Sequence, residues 1–232
     1  MYSVMAAPLL RILNQSSCVV DDAKESSEGK TFGCSIAMSL IGSYKHLMIN
    51  GDTTKTAAEL KATQYNDHAL FIDELGTQQN EEVLKALVYM IANEQGRGRA
   101  NKDLTLRKTS TWKTIALTTG EAPITSHSSF TGQQVRVIEI KCGLPSGLGK
   151  EVDAGYKVIE SNYGFIAPLF YQKMIENRTL LHTMFDESKA LFSNVTTNTG
   201  KRLSNTFACI NVAGIIFEEI FNDYNIILFS RV

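Results

Sequence analysis

The sequence predicts an α/β protein in which a parallel sheet is flanked by helices. An apolar segment, Cys18-Val19-Val20, leads through a polar loop into Gly29-Lys30-Thr31 and then into a helical pattern from Phe32 to Ile41. A second apolar segment ends in two adjacent acids, Asp73-Glu74. Strand-like and helix-like patterns alternate over residues 1–142, which is typical of a parallel sheet with helical crossovers.

Length and composition limit the classes of protein that fit. The chain has 232 residues, 44% of them hydrophobic and 20% charged, as in ordinary globular proteins. A formal net charge of −1 gives no overall attraction to nucleic acid, so such a contact needs a local basic patch. The four cysteines and four histidines lack metal-ligand spacing, and this cysteine usage fits a reducing cytoplasm. No signal peptide or bilayer-spanning run is visible, so we expect a cytoplasmic protein without membrane contact.

The segment from Lys24 to Thr31 predicts a phosphate-binding P-loop, in which backbone N–H groups and the N-terminus of a helix face a polyphosphate. Lys30 would contact the β- and γ-phosphates of ATP, and the Thr31 hydroxyl would bind Mg²⁺. The pattern has glycine where this sequence has Lys24, which predicts a different loop path or weaker binding. The predicted nucleotide-binding residues are Ser26, Ser27, Gly29, Lys30 and Thr31.

The second motif is the apolar run from His68 to Ile72, followed by Asp73 and Glu74. A strand buried on both faces would carry these acids to its carboxyl end, where ligands bind in open α/β sheets. Asp73 would hold Mg²⁺, and Glu74 would orient and deprotonate the attacking water. The alternative is coincidence, with Gly-Lys-Thr in an ordinary loop and a strand that ends in a polar turn. The order of the motifs and their spacing of about 40 residues favour the functional interpretation.

One local basic patch lies between Gln95 and Lys108, where Asn101-Lys102-Asp103 indicates a turn between two short strands. A basic hairpin is a natural contact for a nucleic-acid backbone, and on charge alone a solvated surface hairpin is an equally good interpretation. The predicted nucleic-acid contacts are Arg97, Arg99, Lys102, Arg107 and Lys108.

Two later strands each carry one candidate catalytic residue. The strand from Lys113 ends at Thr119, which fits a polar sensor of the γ-phosphate or of the attacking water; a hydroxyl that caps a turn fits almost as well. The strand from Gln133 to Ile140 has Arg136 near its start. An arginine there can reach a neighbouring subunit's nucleotide and stabilise the transferring phosphoryl group, whereas a surface ion pair is the alternative.

A Gly-rich stretch at 143–149 separates an ATPase core, 1–142, from a C-terminal helical region, 150–224. Arg202 would open the last helix, and we interpret it as a helix-surface arginine in preference to a nucleotide sensor. The remaining predicted elements are an amphipathic helix Tyr2–Leu13, a strand His46–Ile49, and helices Thr54–Gln64, Glu81–Asn93, Val152–Tyr163, Ala167–Asn177, Leu180–Asn194 and Arg202–Phe221.

Together these motifs resemble the domain-of-unknown-function 927 family (DUF927), found in primase–helicase-like proteins of phages, plasmids and integrated elements. The resemblance runs from about Met5 to about Phe221. Its segments are Ala7-Pro8-Leu9-Leu10, Ser26 to Thr31, Leu70 to Gly76, Tyr89 to Asn93 with Gln95-Gly96-Arg97, Trp112-Lys113-Thr114 with Thr119-Gly120-Glu121, Gly132 to Arg136, and Arg202 with Phe207.

The resemblance implies a P-loop ATPase related to AAA+ proteins and superfamily-three helicases. It implies that the strand before the P-loop lies inside the sheet, that a DNA-facing hairpin precedes the sensor strand, and that subunits form a ring. Lys24 and Gly120 depart from the family pattern, and Gly120 occupies the place of a sensor asparagine, so Thr119 would have to serve. We also expect an N-terminal or primase region outside this chain.

Three functions follow as hypotheses. The first is a Mg²⁺-ATP-dependent ATPase that acts as a helicase-like or translocase-like motor, a homo-oligomeric ring on single-stranded DNA, during replication of a mobile element or phage. The second is a nucleotide-dependent DNA-binding module with little turnover, which Lys24 favours. The third is an inactive fragment of a larger primase–helicase.

Overall fold

The computed structural model describes residues 1–23, 29–73, 81–98, 100, 103, 105–106, 108–121, 123–124, 135–140 and 148–226. Within them, five parallel strands form one sheet with the order β2-β3-β4-β1-β5. The strands are β1 Cys18–Ala23, β2 Met48–Asn50, β3 Leu70–Asp73, β4 Ile115–Gly120 and β5 Val137–Ile140. The predicted α/β class is confirmed, and β1 lies in the interior between β4 and β5, as the resemblance implied.

The sheet is buried on both faces because successive apolar side chains of its strands point to opposite sides. Val20 of β1 and Phe71 of β3 pack in one hydrophobic cluster, whereas Val19 and Ile72 pack in the other. Every residue of β4 is buried. This two-sided burial explains why the strands read as continuous apolar runs.

Helices of the first part cover the sheet and largely match the predicted positions. They are α1 Tyr2–Ala6, α2 Leu9–Ile12, α3 Lys30–Ser39, α4 Tyr44–Leu47, α5 Lys55–Gln64 and α6 Glu81–Asn93. Two predictions were wrong in detail. The helix predicted from Tyr2 to Leu13 is divided at Pro8, which precedes α2, and most of its apolar residues are buried, whereas Ile12 is exposed. His46 belongs to α4 and not to a strand.

The C-terminal helices are α7 Gly149–Ser161, α8 Ile166–Glu176, α9 Leu181–Ala190 and α10 Asn198–Asp223. The last helix starts before the predicted Arg202 because Thr197 caps it, accepting a hydrogen bond from the Gly200 N–H at 3.1 Å. Its apolar face packs on α1, α8 and α9, and joins the same hydrophobic cluster as one face of the sheet. The proposed division at 143–149 therefore separates two parts that share one core.

Helix α10 is long and apolar enough to cross a membrane by length and composition, with a mean hydropathy of 1.2 over its best window. Half of that window is buried inside the protein. Core helices of water-soluble proteins meet the same criterion, and α10 packs against α1, α2, α8 and α9.

A glycine allows α7 to approach α3 next to the motif residues. A Cβ atom on Gly155 would come within 2.3 Å of Cζ of Phe32, which directly follows Thr31. The Phe32 ring also lies 4.8 Å, centroid to centroid, from the ring of Tyr156. This close packing fixes the first turn of α3 against the C-terminal part of the chain.

Candidate nucleotide-binding site

The carboxyl ends of the inner strands bring the predicted motifs to one edge of the sheet. The register pairs Asp22 with Thr119 and Ala23 with Gly120, so β1 and β4 end side by side. Strand β3 ends next to them at Asp73. Ligands bind at this edge in open α/β sheets because the loops after the strands surround it.

Gly29 and Lys30 begin α3 at this edge. Gly29 has a φ of 72°, a left-handed conformation that favours glycine, and lies at the N-cap position of the helix. The Lys30 side chain is only 8% exposed, and its Nζ donates a hydrogen bond to the Gly120 carbonyl at 2.7 Å. The ammonium group therefore lies between the start of α3 and the end of β4.

Side chains from three separately predicted motifs meet here, with Thr31 and Thr119 both in contact with the Asp73 carboxylate. Its Oδ1 accepts a hydrogen bond from Thr31 Oγ1 at 3.2 Å and another from Thr119 Oγ1 at 2.5 Å. Thr119 is 2% exposed, so its hydroxyl is held in one position by the buried end of β4. Thr31 and Thr119 lie 42 and 46 positions from Asp73 in the sequence, and the fold brings all three side chains into contact.

The oxygen atoms at this point fit a magnesium ion chemically. Mg²⁺ prefers hard oxygen ligands and, in phosphate-transfer sites, uses one or two protein oxygens with phosphates and water. The Thr31 hydroxyl and the Asp73 carboxylate supply such oxygens. Within the described residues, no group of three or more His, Cys, Asp or Glu side chains could hold a metal ion.

The antiparallel hairpin predicted after α6 is confirmed in the described part of that stretch. Gln95 pairs with Thr111 and Ala100 pairs with Leu106, in one register. Arg97 and Lys108 are exposed on it. At its base, Glu94 accepts a hydrogen bond from the Trp112 N–H at 3.0 Å.

Six predicted site residues lie outside the described residues. They are Ser26 and Ser27 of the loop, Glu74, and Arg99, Lys102 and Arg107 of the hairpin. Lys24 lies outside them as well. Their roles stay predictions from the sequence.

Comparison with known families gives the chain a relationship that agrees with this geometry. Residues 1–112 match the profile of DUF927, described as a domain of unknown function. Over these residues the chain is similar to DUF927 proteins. The resemblance predicted from the sequence is confirmed there, and the quoted segments after Trp112 lie beyond the matched range.

A solved structure extends the comparison beyond the DUF927 segment. It is described as "SCCmec type IV Cch - active helicase" and matches with a TM-score of 0.81 at 22% sequence identity. The match covers 95% of this chain and 43% of that chain, so this chain spans less than half of its length. At this identity the match shows a shared fold, and the predicted α/β P-loop-like fold is confirmed. No protein with a curated function matches the chain.

Arg136 lies at the other edge of the sheet from the nucleotide motifs. It directly precedes β5, and its carbonyl accepts a hydrogen bond from the Val19 N–H at 2.8 Å. Strand β1 spans roughly 16 Å between the two edges at 3.3 Å per residue. The Arg136 guanidinium lies 5.0 Å from the centroid of the Tyr89 ring in α6. It is thus far from Lys30 and Asp73 of its own chain, and the role predicted for it toward a neighbouring nucleotide stays a prediction.

The sequence reading missed two acids of β1 that lie beside the site. Asp21 is fully buried and Asp22 is 4% exposed. Asp21 accepts hydrogen bonds from Thr118 Oγ1 at 2.6 Å and from the Ile124 N–H at 3.0 Å. Burial raises the pKa of Asp21 from 3.8 to about 6, against the opposing effect of these two hydrogen bonds. The sequence signal that could have identified them is the pair of adjacent acids at the end of an apolar strand.

We expect the Asp21 carboxyl to make the protein less stable as the pH rises. Between pH 4 and 6 the folded chain binds a proton that the unfolded chain has released, so the free energy of unfolding decreases through this range. The decrease has an upper limit of about 3 kcal/mol. Urea denaturation at both ends of the range should give a smaller decrease for Asp21→Asn than for the wild type.

The control for this prediction is Leu106→Ala, which changes an 87% exposed side chain and removes no ionisable group. It should keep the wild-type difference between the two pH values. An unchanged difference in Asp21→Asn would show that another group titrates.

Proposed function

We propose that the chain is a Mg²⁺-ATP-dependent ATPase that drives movement on single-stranded DNA. The observation that carries the proposal is the meeting of Thr31, Asp73 and Thr119 beside the buried Lys30. A polyphosphate site needs a cation for the phosphates, oxygens for the metal and a polar group near the reacting phosphate. These side chains supply each of them within one edge of the sheet.

In the proposed site, the Lys30 ammonium exchanges its hydrogen bond to the Gly120 carbonyl for the β- and γ-phosphate oxygens. Thr31 and Asp73 would hold the metal, which when bound would neutralise phosphate charge. Thr119 donates a hydrogen bond to the Asp73 carboxylate, and in this proposal it contacts the γ-phosphate or the water. Glu74, predicted from the sequence, orients and deprotonates that water.

Several wider properties belong to the same proposal. A helicase-like fold and the DUF927 relationship support action on DNA in a mobile element. We propose a cytoplasmic homo-oligomeric ring, with primase or further N-terminal functions in a region outside this chain. The exposed Arg97 and Lys108 of the hairpin support the DNA contact.

The test is phosphate release from Mg²⁺-ATP, with and without single-stranded DNA, for the wild type and Glu74→Gln. DNA-stimulated release by the wild type and its loss in Glu74→Gln, with ATP binding retained, are the expected results. ATP binding without release would instead support a nucleotide-dependent DNA-binding module. Gel filtration with ATP and DNA tests assembly, and a chain that stays monomeric in every condition would contradict the ring.

A further inference from the structure

A polar cleft of about 330 Å³ lies at the amino-terminal edge of the sheet, away from the nucleotide motifs. Its walls come from residues 15–18 at the start of β1, Ala92 of α6, the two residues before β5 and the first half of α10. The residues used below are Ser17, Arg136, Arg202 and Asn205. Four separate parts of the chain therefore build one cavity.

The charge of this cleft has one sign. The two charged residues that line it, Arg136 and Arg202, are both basic. A second cavity of about 380 Å³ shares Arg202 and adds Lys189 and Lys201. No acidic side chain of the described residues lines either cavity. An arginine presents a planar set of donors that matches phosphate oxygens, so such a cleft favours a phosphate group.

Asn205 needs a hydrogen-bond donor from the ligand, which a simple anion does not supply. It lines both cavities, and its Oδ1 is buried without a hydrogen-bond partner among the described residues. A buried amide oxygen needs a donor. A nucleotide unit carries anionic oxygens for the arginines and base N–H donors for this oxygen, and so satisfies both kinds of group.

The cleft is joined directly to the base of the basic hairpin. The Ser17 N–H donates a hydrogen bond to Glu94 Oε1 at 2.6 Å. Lys113 Nζ donates to the same Glu94 oxygen at 2.8 Å and to the Gln15 carbonyl at 2.6 Å. Glu94 and Lys113 flank the hairpin, so its strands leave the sheet beside the cleft.

We propose that this cleft binds one nucleotide unit of the single strand that the hairpin contacts, with Arg136 and Arg202 on the backbone phosphate. The proposal deepens the proposed function, because it rests on DNA as the partner and adds a second contact site. In this proposal, Arg136 contacts DNA that its own chain binds, whereas the sequence predicted a contact with the nucleotide of a neighbouring subunit. The Arg136 guanidinium lies 5.0 Å from the centroid of the Tyr89 ring, a cation–π contact that restricts its orientation.

The test is fluorescence anisotropy of a labelled single-stranded oligonucleotide, measured over a series of salt concentrations with the full chain. Arg202→Ala should weaken binding about 3-fold to 10-fold and lower the salt-dependence slope by about 0.7, the value for one phosphate on a single strand. Asn205→Asp keeps the side-chain shape but adds a negative charge, and should weaken binding at least as much. The matched control is Arg178→Ala, which changes an exposed arginine in the turn between α8 and α9 that lines neither cavity, and it should bind like the wild type.

The outcomes separate this proposal from the proposed function. Wild-type affinity and slope in both Arg202→Ala and Asn205→Asp would overturn it. If these variants then release phosphate from Mg²⁺-ATP more slowly, the cleft serves the nucleotide of a second copy. If the wild type binds no strand, with or without ATP, the cleft proposal fails, whereas phosphate release still decides whether the chain is an ATPase.

Discussion

Lys30→Ala is expected to lower ATP turnover by about 100-fold or more, in line with the loss of one preorganised donor to the transferring phosphoryl group, and to weaken ATP binding. The Lys30 ammonium is held at the motif edge by the Gly120 carbonyl, so alanine removes a cation that is already in position. Isothermal titration with Mg²⁺-ATP measures the affinity. In parallel, the rise in melting temperature that Mg²⁺-ATP gives the wild type should vanish, because a ligand stabilises only a state that binds it.

The matched control is Lys45→Ala. Lys45 is exposed on α4 and pairs with Glu160 at 2.7 Å, away from the motif edge. It should bind and hydrolyse ATP like the wild type. Circular dichroism must show that Lys30→Ala is folded, since loss of one hydrogen bond to a carbonyl costs about 1 kcal/mol. A folded Lys30→Ala chain with wild-type affinity for ATP would contradict the assignment of this site.

The meeting of the nucleotide motifs could be predicted because it follows from a general property of parallel sheets. Each motif residue closes a strand or opens the helix after it, and the carboxyl ends of neighbouring parallel strands share an edge. Lys30, Asp73 and Thr119 were each placed by local pattern, and the sheet order brought them together without further information. Helix α6 was likewise predicted at its observed bounds because its apolar spacing is regular.

The rest could not be predicted because it depends on contacts between distant parts of the chain. The first helix looked amphipathic, but α10 covers it, and Tyr2 donates a hydrogen bond to Glu218 at 2.8 Å. Arg136 and Arg202 carry no shared local pattern, and only the complete fold brings them into one cleft. The burial of Asp21 follows from its neighbours in the sheet and not from its own segment.

Trp112→Ala is expected to have the largest effect on stability, a loss of about 3–5 kcal/mol in the free energy of unfolding. The indole is 1% exposed and belongs to the hydrophobic cluster on the α6 face of the sheet. Its Nε1 donates a hydrogen bond to the Ile91 carbonyl at 3.2 Å, and its backbone N–H donates to the Glu94 carbonyl. The side chain therefore ties the base of the hairpin to the end of α6.

Urea denaturation followed by circular dichroism measures this effect, because Trp112 is the single tryptophan and its fluorescence is lost with it. Trp112→Phe keeps an aromatic ring but leaves the Ile91 carbonyl without its indole donor, so a smaller loss of about 1–3 kcal/mol is expected. Leu106→Ala is the control within the hairpin, because this leucine is 87% exposed and should change the stability by less than about 0.5 kcal/mol. Equal stabilities of Trp112→Ala and Leu106→Ala would show that the indole does not anchor the hairpin. If the stabilities of the variants follow the expected order, oligonucleotide binding can be measured at a temperature where Trp112→Phe is fully folded. Weaker binding by this variant would then show that the indole positions the hairpin for contact with DNA.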